Sequence, residues 1–147
     1  MKKTGNRFVA YVPSFNFGDD ALLILADSEA IDWLMSQFDR LSNAPDGSNR
    51  PSFIIGDGNP VESDGRCLLI VELENQTEGS RLIRKSEQTF SWSVSRSSAN
   101  HCRELLSGML APHPCHQYLD PDNCPSAPVV IVSKGEYEPD TFRTAKG

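Results

Sequence analysis

Ala21-Leu22-Leu23-Ile24-Leu25-Ala26-Asp27-Ser28-Glu29-Ala30-Ile31-Asp32-Trp33-Leu34 decides how the chain folds. The apolar run 21–26 fits either a buried strand or the first turns of a helix, and periodicity alone does not separate the two. The residues after it do. Asp27 and Ser28 are each suited to cap a helix N-terminus, and Glu29 and Asp32 fall near the positive end of its dipole. The apolar period then changes, with Ile31, Leu34, Phe38 and Leu41 recurring every three or four residues. That is the stripe of a helix lying on a sheet. Residues 21–26 are therefore read as strand and the stretch after Ser28 as helix.

Upstream, Phe8-Val9-Ala10-Tyr11-Val12 is β-branched and aromatic and is closed by Pro13, so it reads as an edge or first strand. Downstream, 42–51 is polar and rich in turn residues, Phe53-Ile54-Ile55 is a short strand, and Gly56-Asp57-Gly58-Asn59-Pro60 is a turn. Those glycines lack the lysine and following helix of a phosphate loop. Residues 67–74 form a strand, 76–80 a hairpin loop, and the return strand runs from Leu82 onward. Phe90-Ser91-Trp92-Ser93-Val94-Ser95 alternates large apolar residues with serine, one face in the core and one wet. Ser97 and Ser98 are candidate caps for a second helix striped by Cys102, Leu105, Leu106, Met109 and Leu110. Five prolines between Pro112 and Pro128 make that stretch an irregular excursion, and Pro128-Val129-Val130-Ile131-Val132 is the last strand. No internal repeat is visible.

The order β-β-α-β-β-β-α-β predicts an α+β fold of two layers: a mostly antiparallel sheet of five to six strands with two helices on one face. The 147 residues are enough for one core, burying about two-thirds of the unfolded surface. A single domain over 1–147 is expected, with loose ends at 1–6 and 138–147. The longest apolar run is six residues, against the roughly 18 to 20 of a membrane helix. Lys2 and Lys3 are followed by Thr4, Gly5, Asn6 and Arg7 rather than an apolar signal segment, so a cytoplasmic location and reduced cysteines are expected.

Charge is distributed unevenly. The formal net charge is −6, but residues 19–78 hold 13 acids and 3 bases, a local −10, and the rest 7 acids and 11 bases, or +4. An acidic surface repels nucleic-acid phosphates, so no nucleic-acid partner is expected. Glu29, Asp32 and Asp39 fall near one face of the first helix, opposite Ile31, Leu34 and Phe38. That face could steer a basic partner protein; the bland alternative is that it serves solubility alone, which is what charge speaks to first.

All three histidines and three of the four cysteines lie in the 24 residues from His101 to Cys124. His113, Cys115, His116 and Cys124 are candidate zinc ligands, since zinc takes tetrahedral nitrogen and sulfur sets, but their spacing is not that of paired Cys-x-x-Cys knuckles. Cys102 also fits the apolar helix stripe, where a thiol is a small hydrophobe. A second possibility is a thiol nucleophile, Cys115 or Cys124, activated by His113 or His116 and oriented by Asp120. In a helical turn His116 would stand over Asp120; the bland alternative is a hydrogen-bonded pair that locks a loop.

The run His116-Gln117-Tyr118-Leu119-Asp120, the Val-rich strand after it, and Ser133-Lys134-Gly135-Glu136-Tyr137 resemble the C-terminal end of small bacterial α+β proteins of unknown function, grouped with toxin-immunity-type proteins. The resemblance covers about the last quarter of the chain. It implies a binding protein rather than an enzyme and carries over no catalytic residue. The leading expectation is thus a small cytoplasmic protein-binding module without a cofactor. The alternative is a metal-dependent or Cys/His enzyme built on 101–124.

Overall fold

The run that opens at Phe8 does form a strand, and Pro13 marks an irregularity in it rather than its end. The computed structural model describes residues 7–16, 19–45, 51–58, 61–63, 67–74, 80–119 and 128–135. Strand β1, Phe8–Asn16, pairs antiparallel with β2, Asp19–Ala26, and their register shifts between Val12 and Asn16. Ser14 sits in that bulge with φ +57°, a left-handed conformation that serine rarely takes. Helix α1, Ser28–Ser42, starts one residue beyond β2, and the Asp27 carboxylate accepts the Ala30 N–H at 2.9 Å. Its stripe of Ile31, Leu34, Phe38 and Leu41 is wholly buried.

Then come β3, Ser52–Ile55, the two-residue β4, Glu62–Ser63, and β5, Leu68–Leu73. Next are β6, Ser80–Arg84, β7, Thr89–Val94, and helix α2, Arg96–Ser107, extended by a 3₁₀ turn at Gly108–Leu110. β8, Cys115–Tyr118, and β9, Val129–Lys134, follow.

The fold is α+β, but its strands make two mixed sheets rather than one mostly antiparallel sheet. Sheet A has the order β4-β1-β2-β9-β8 and sheet B the order β3-β5-β7-β6. The central pairs, β2 with β9 and β5 with β7, are parallel. Parallel partners are joined by long connections, so no local turn signal announces them. For the same reason the expected hairpin of β5 with β6 does not exist. β7 lies between them, and the hairpin is β6–β7, turned through 85–88.

Behind this topology is a plan used twice. β1-β2-α1-β3-β5 and β6-β7-α2-β8-β9 each consist of an antiparallel pair, a helix, and a second antiparallel pair. The second pairs are exchanged, so that sheet A joins β1-β2 to β9-β8 and sheet B joins β6-β7 to β5-β3. The caps correspond too. Ser95, one residue after β7, accepts the Ser98 N–H at 3.1 Å, as Asp27 does one residue after β2. The cap of α2 is thus Ser95, not Ser97 or Ser98.

One core unites the parts. Val9, Leu22 and Ile24 of sheet A, Leu69, Val71, Phe90 and Trp92 of sheet B, the stripe of α1, and Cys102, Leu106 and Met109 of the second stripe pack together, with Leu105 against them, whereas Leu110, in the 3₁₀ turn, is exposed. Phe38 meets Phe53 edge to face at 5.3 Å and Trp92 at 5.8 Å. Phe8, Ala10, Leu23, Leu25 and Ile131 form a second buried cluster on the other face of sheet A. Gly56 closes β3 at φ +110°, where an added Cβ would stand 2.5 Å from the Cys67 carbonyl oxygen and 2.9 Å from Val9 Cγ1. Only glycine fits so close an approach.

Candidate functional site

Side chains on the inner faces of the two sheets fill the core along most of their length, but where β1 and β2 face β6 and β7 the core ends in polar groups. Tyr11 follows Val9 on the inner side of β1, and Asp20 precedes Leu22 on β2. With Leu82, Ile83, Arg84 and Phe90 of sheet B they line a cleft of ≈ 320 Å³ that Pro128, before β9, completes. That is the lower end of the size range of small-molecule sites.

Its polar groups hold one another in place. The Tyr11 hydroxyl donates to Asp20 Oδ2 at 2.5 Å, and the Ser14 backbone N–H, turned inward by the bulge, donates to Asp20 Oδ1 at 3.0 Å. The Arg84 guanidinium stacks over the Tyr11 ring, 4.7 Å from its centroid, and lies 5.5 Å from that of Phe90. Its Nε and Nη2 donate to the carbonyls of Ser86 and Glu87, at 3.2 and 2.7 Å, in the β6–β7 turn. Tyr11 and Phe90 rings meet at 5.4 Å.

These contacts set the protonation states. The hydrogen bond to Asp20 raises the Tyr11 pKa above 10.0, since ionisation would remove the donated proton; burial and the Asp20 charge add to this and Arg84 opposes it. Asp20 is held below 3.8, first by the Tyr11 hydroxyl, then by the Ser14 N–H; desolvation opposes this, and the Arg84 charge adds a lesser lowering. Proton transfer near neutral pH calls for pKa values near the working pH. Both groups are displaced away from it, so the Tyr11 hydroxyl keeps its proton and Asp20 its charge near neutral pH.

None of these cleft residues stands out in the sequence as functional. Tyr11 and Arg84 read as ordinary strand residues, and Asp20 as part of a turn. The available hint is Pro13-Ser14 within an apolar strand, a disruption typical of bulges, which cluster near functional sites.

The acidic residues do share the outer face of α1. Glu29, Asp32 and Asp39 are all exposed. Glu29 lies 3.8 Å from Arg7 Nη1, and Asp39 3.7 Å from Arg103 Nε of α2. Asp32 makes no ion pair among the described residues.

Among the described residues the side chains of the His/Cys segment do not come together as a ligand set. His101 is exposed on α2 while its neighbour Cys102 is buried in the core. The excursion contains β8, so the helical turn needed to stack His116 over Asp120 is absent. Successive strand side chains point to opposite faces. Cys115 is accordingly half-buried, with its thiol 3.9 Å from the Met109 carbonyl, while His116 is exposed against the Tyr118 ring at 5.8 Å. His113 is exposed, its Nδ1 3.3 Å from the Pro114 carbonyl. Asp120 and Cys124 lie outside the described residues, as do the ends 1–6 and 138–147. Among the described residues no three His, Cys, Asp or Glu side chains are grouped to hold a metal, and no helix is long and apolar enough to cross a membrane.

Fold and sites together define an α+β protein of two mixed sheets, with a paired-hairpin plan used twice and a polar cleft where the sheets part. No family model, curated protein or solved structure matches the chain.

Proposed function

We propose that this is a small cytoplasmic protein-binding module, of the toxin-immunity type that its C-terminal quarter resembles, which receives a basic partner protein on the outer face of α1. The observation that carries the reading is the exposed row Glu29, Asp32 and Asp39 on a helix whose opposite stripe is fully buried. A helix fixed in this way presents its carboxylates at constant spacing, and a matching basic surface would be drawn in by its field. The local charge of −10 over residues 19–78 extends that field beyond the helix. Of the pairs open to the enzyme alternative, Cys115 and His116 face opposite ways on β8, and Asp120 and Cys124 lie outside the described residues.

The test compares the native chain with the triple variant Glu29→Lys/Asp32→Lys/Asp39→Lys. A basic protein retained by the native chain is purified, and its association rate with each form is followed by stopped flow against salt. The expected result is a native rate that falls as salt rises and a variant rate lower by at least about tenfold at low ionic strength. Equal rates for the two, with the variant's circular dichroism unchanged, would overturn the reading.

A further inference from the structure

The cleft between the sheets uses none of the α1 carboxylates, and its chemistry specifies a different kind of occupant. A guanidinium has five N–H donors in a fixed plane. Arg84 engages two of them with the Ser86 and Glu87 carbonyls, which hold the group against Tyr11, and a third faces the Tyr11 hydroxyl, so the others are left to donate. Each Asp20 oxygen accepts one hydrogen bond and keeps capacity for another. The cleft thus presents a held cation and a held anion, formally neutral together, beside the apolar surfaces of Leu82, Ile83, Phe90 and Pro128.

A multiply charged anion would meet Asp20 and a simple cation would meet Arg84, so each would be repelled by one of the pair. A molecule with both charges and an apolar body would satisfy every wall. We infer that the cleft binds a free apolar α-amino acid, its carboxylate on Arg84, its ammonium on Asp20, and its side chain against Leu82, Phe90 and Pro128. The volume suits a molecule of this size, and binding needs little rearrangement because the protein's own contacts already position Tyr11, Asp20 and Arg84. The strained Ser14 fits this account: its left-handed backbone serves to aim an N–H at Asp20.

The experiment is calorimetric titration of the full chain with L-leucine, L-leucinamide, which lacks the carboxylate, and N-acetyl-L-leucine, which lacks the ammonium. Leucine is expected to bind saturably with Kd near or below about 1 mM, and each analogue at least about tenfold more weakly. Arg84→Gln should abolish the preference for leucine over leucinamide, and Asp20→Asn the preference over the acetylated form. Because the analogue comparison uses the native protein, it stands even if a variant fails to fold. Leucine, isoleucine, valine and phenylalanine all failing to saturate, or the analogues binding as well as leucine, would overturn the proposal.

Discussion

β2 and β7 occupy the same place in the twice-used plan, each the second strand of its hairpin and each leading through a cap into a helix, yet their sequences follow different rules. In β2 every residue from Ala21 to Ala26 is at most 6% exposed, whereas in β7 Phe90, Trp92 and Val94 are buried and Ser91 and Ser93 are half-exposed between them. The difference lies in the outer faces. Leu23 and Leu25 meet Phe8, Ala10 and Ile131 in a second apolar cluster on sheet A, and sheet B has no equivalent among the described residues. A continuous apolar strand thus reports burial on two faces and an alternating one burial on one, independent of the strand's place in the topology.

The largest expected effect tests that contrast. Leu23→Ala, on the outer face of sheet A, should cost about 2–5 kcal/mol in urea unfolding, because it opens a cavity in a closed cluster. Ile70→Ala, on the half-exposed outer face of sheet B, should cost no more than about 1.5 kcal/mol. Equal costs would break the distinction between the sheets.

A somewhat smaller effect probes where the sheets meet. Gly56→Ala must hold a positive φ and push Cβ into the Cys67 carbonyl, for about 2–3 kcal/mol, while Gly58→Ala, at φ +115° but in open space, bears only the backbone strain of about 1 kcal/mol. Denaturant midpoints of the two variants measure the difference. Smaller again, Asp27→Ala and Ser95→Ala should each lose about 1 kcal/mol by thermal unfolding, and similar losses would support the equivalence of the two halves.

The smallest effect is one of pH. Asp20, depressed in the folded state, contributes stability that is present above the unfolded value near 3.8 and lost as pH falls through its folded pKa. Tyr11, raised in the folded state, contributes stability that is present below about 10 and lost as pH rises through its folded pKa. Tyr11→Phe should remove the alkaline loss and weaken the acid one, as read from denaturation midpoints across pH.

Much of the fold is legible in local pattern. The stripe of α1 and its Asp27 cap, the alternation of β7 and the turn at Gly56 are short-range signals, each set by neighbours within a few residues. Ser95 closes the alternating run of β7 and so reads as strand, although it caps α2. β8 is hidden among prolines, because four residues, Cys115-His116-Gln117-Tyr118, carry little periodicity. The candidate sites divide in the same way. The carboxylate row on α1 follows from helical spacing, whereas the cleft does not. Tyr11, Asp20 and Arg84 are separated by up to 73 positions in the chain and meet only because sheet A faces sheet B.

By itself the sequence determined the class of the fold, the helix whose one face is buried and whose other is acidic, and which strands are wet on one side, since all of these depend on residue spacing along one element. Only the tertiary structure decided that the strands divide into two sheets, that the second hairpins are exchanged, and that a tyrosine, an aspartate and an arginine come together at the sheets' mouth. The reason is that parallel pairing and packing between sheets join residues far apart in the chain, and no local preference encodes which distant partner is chosen.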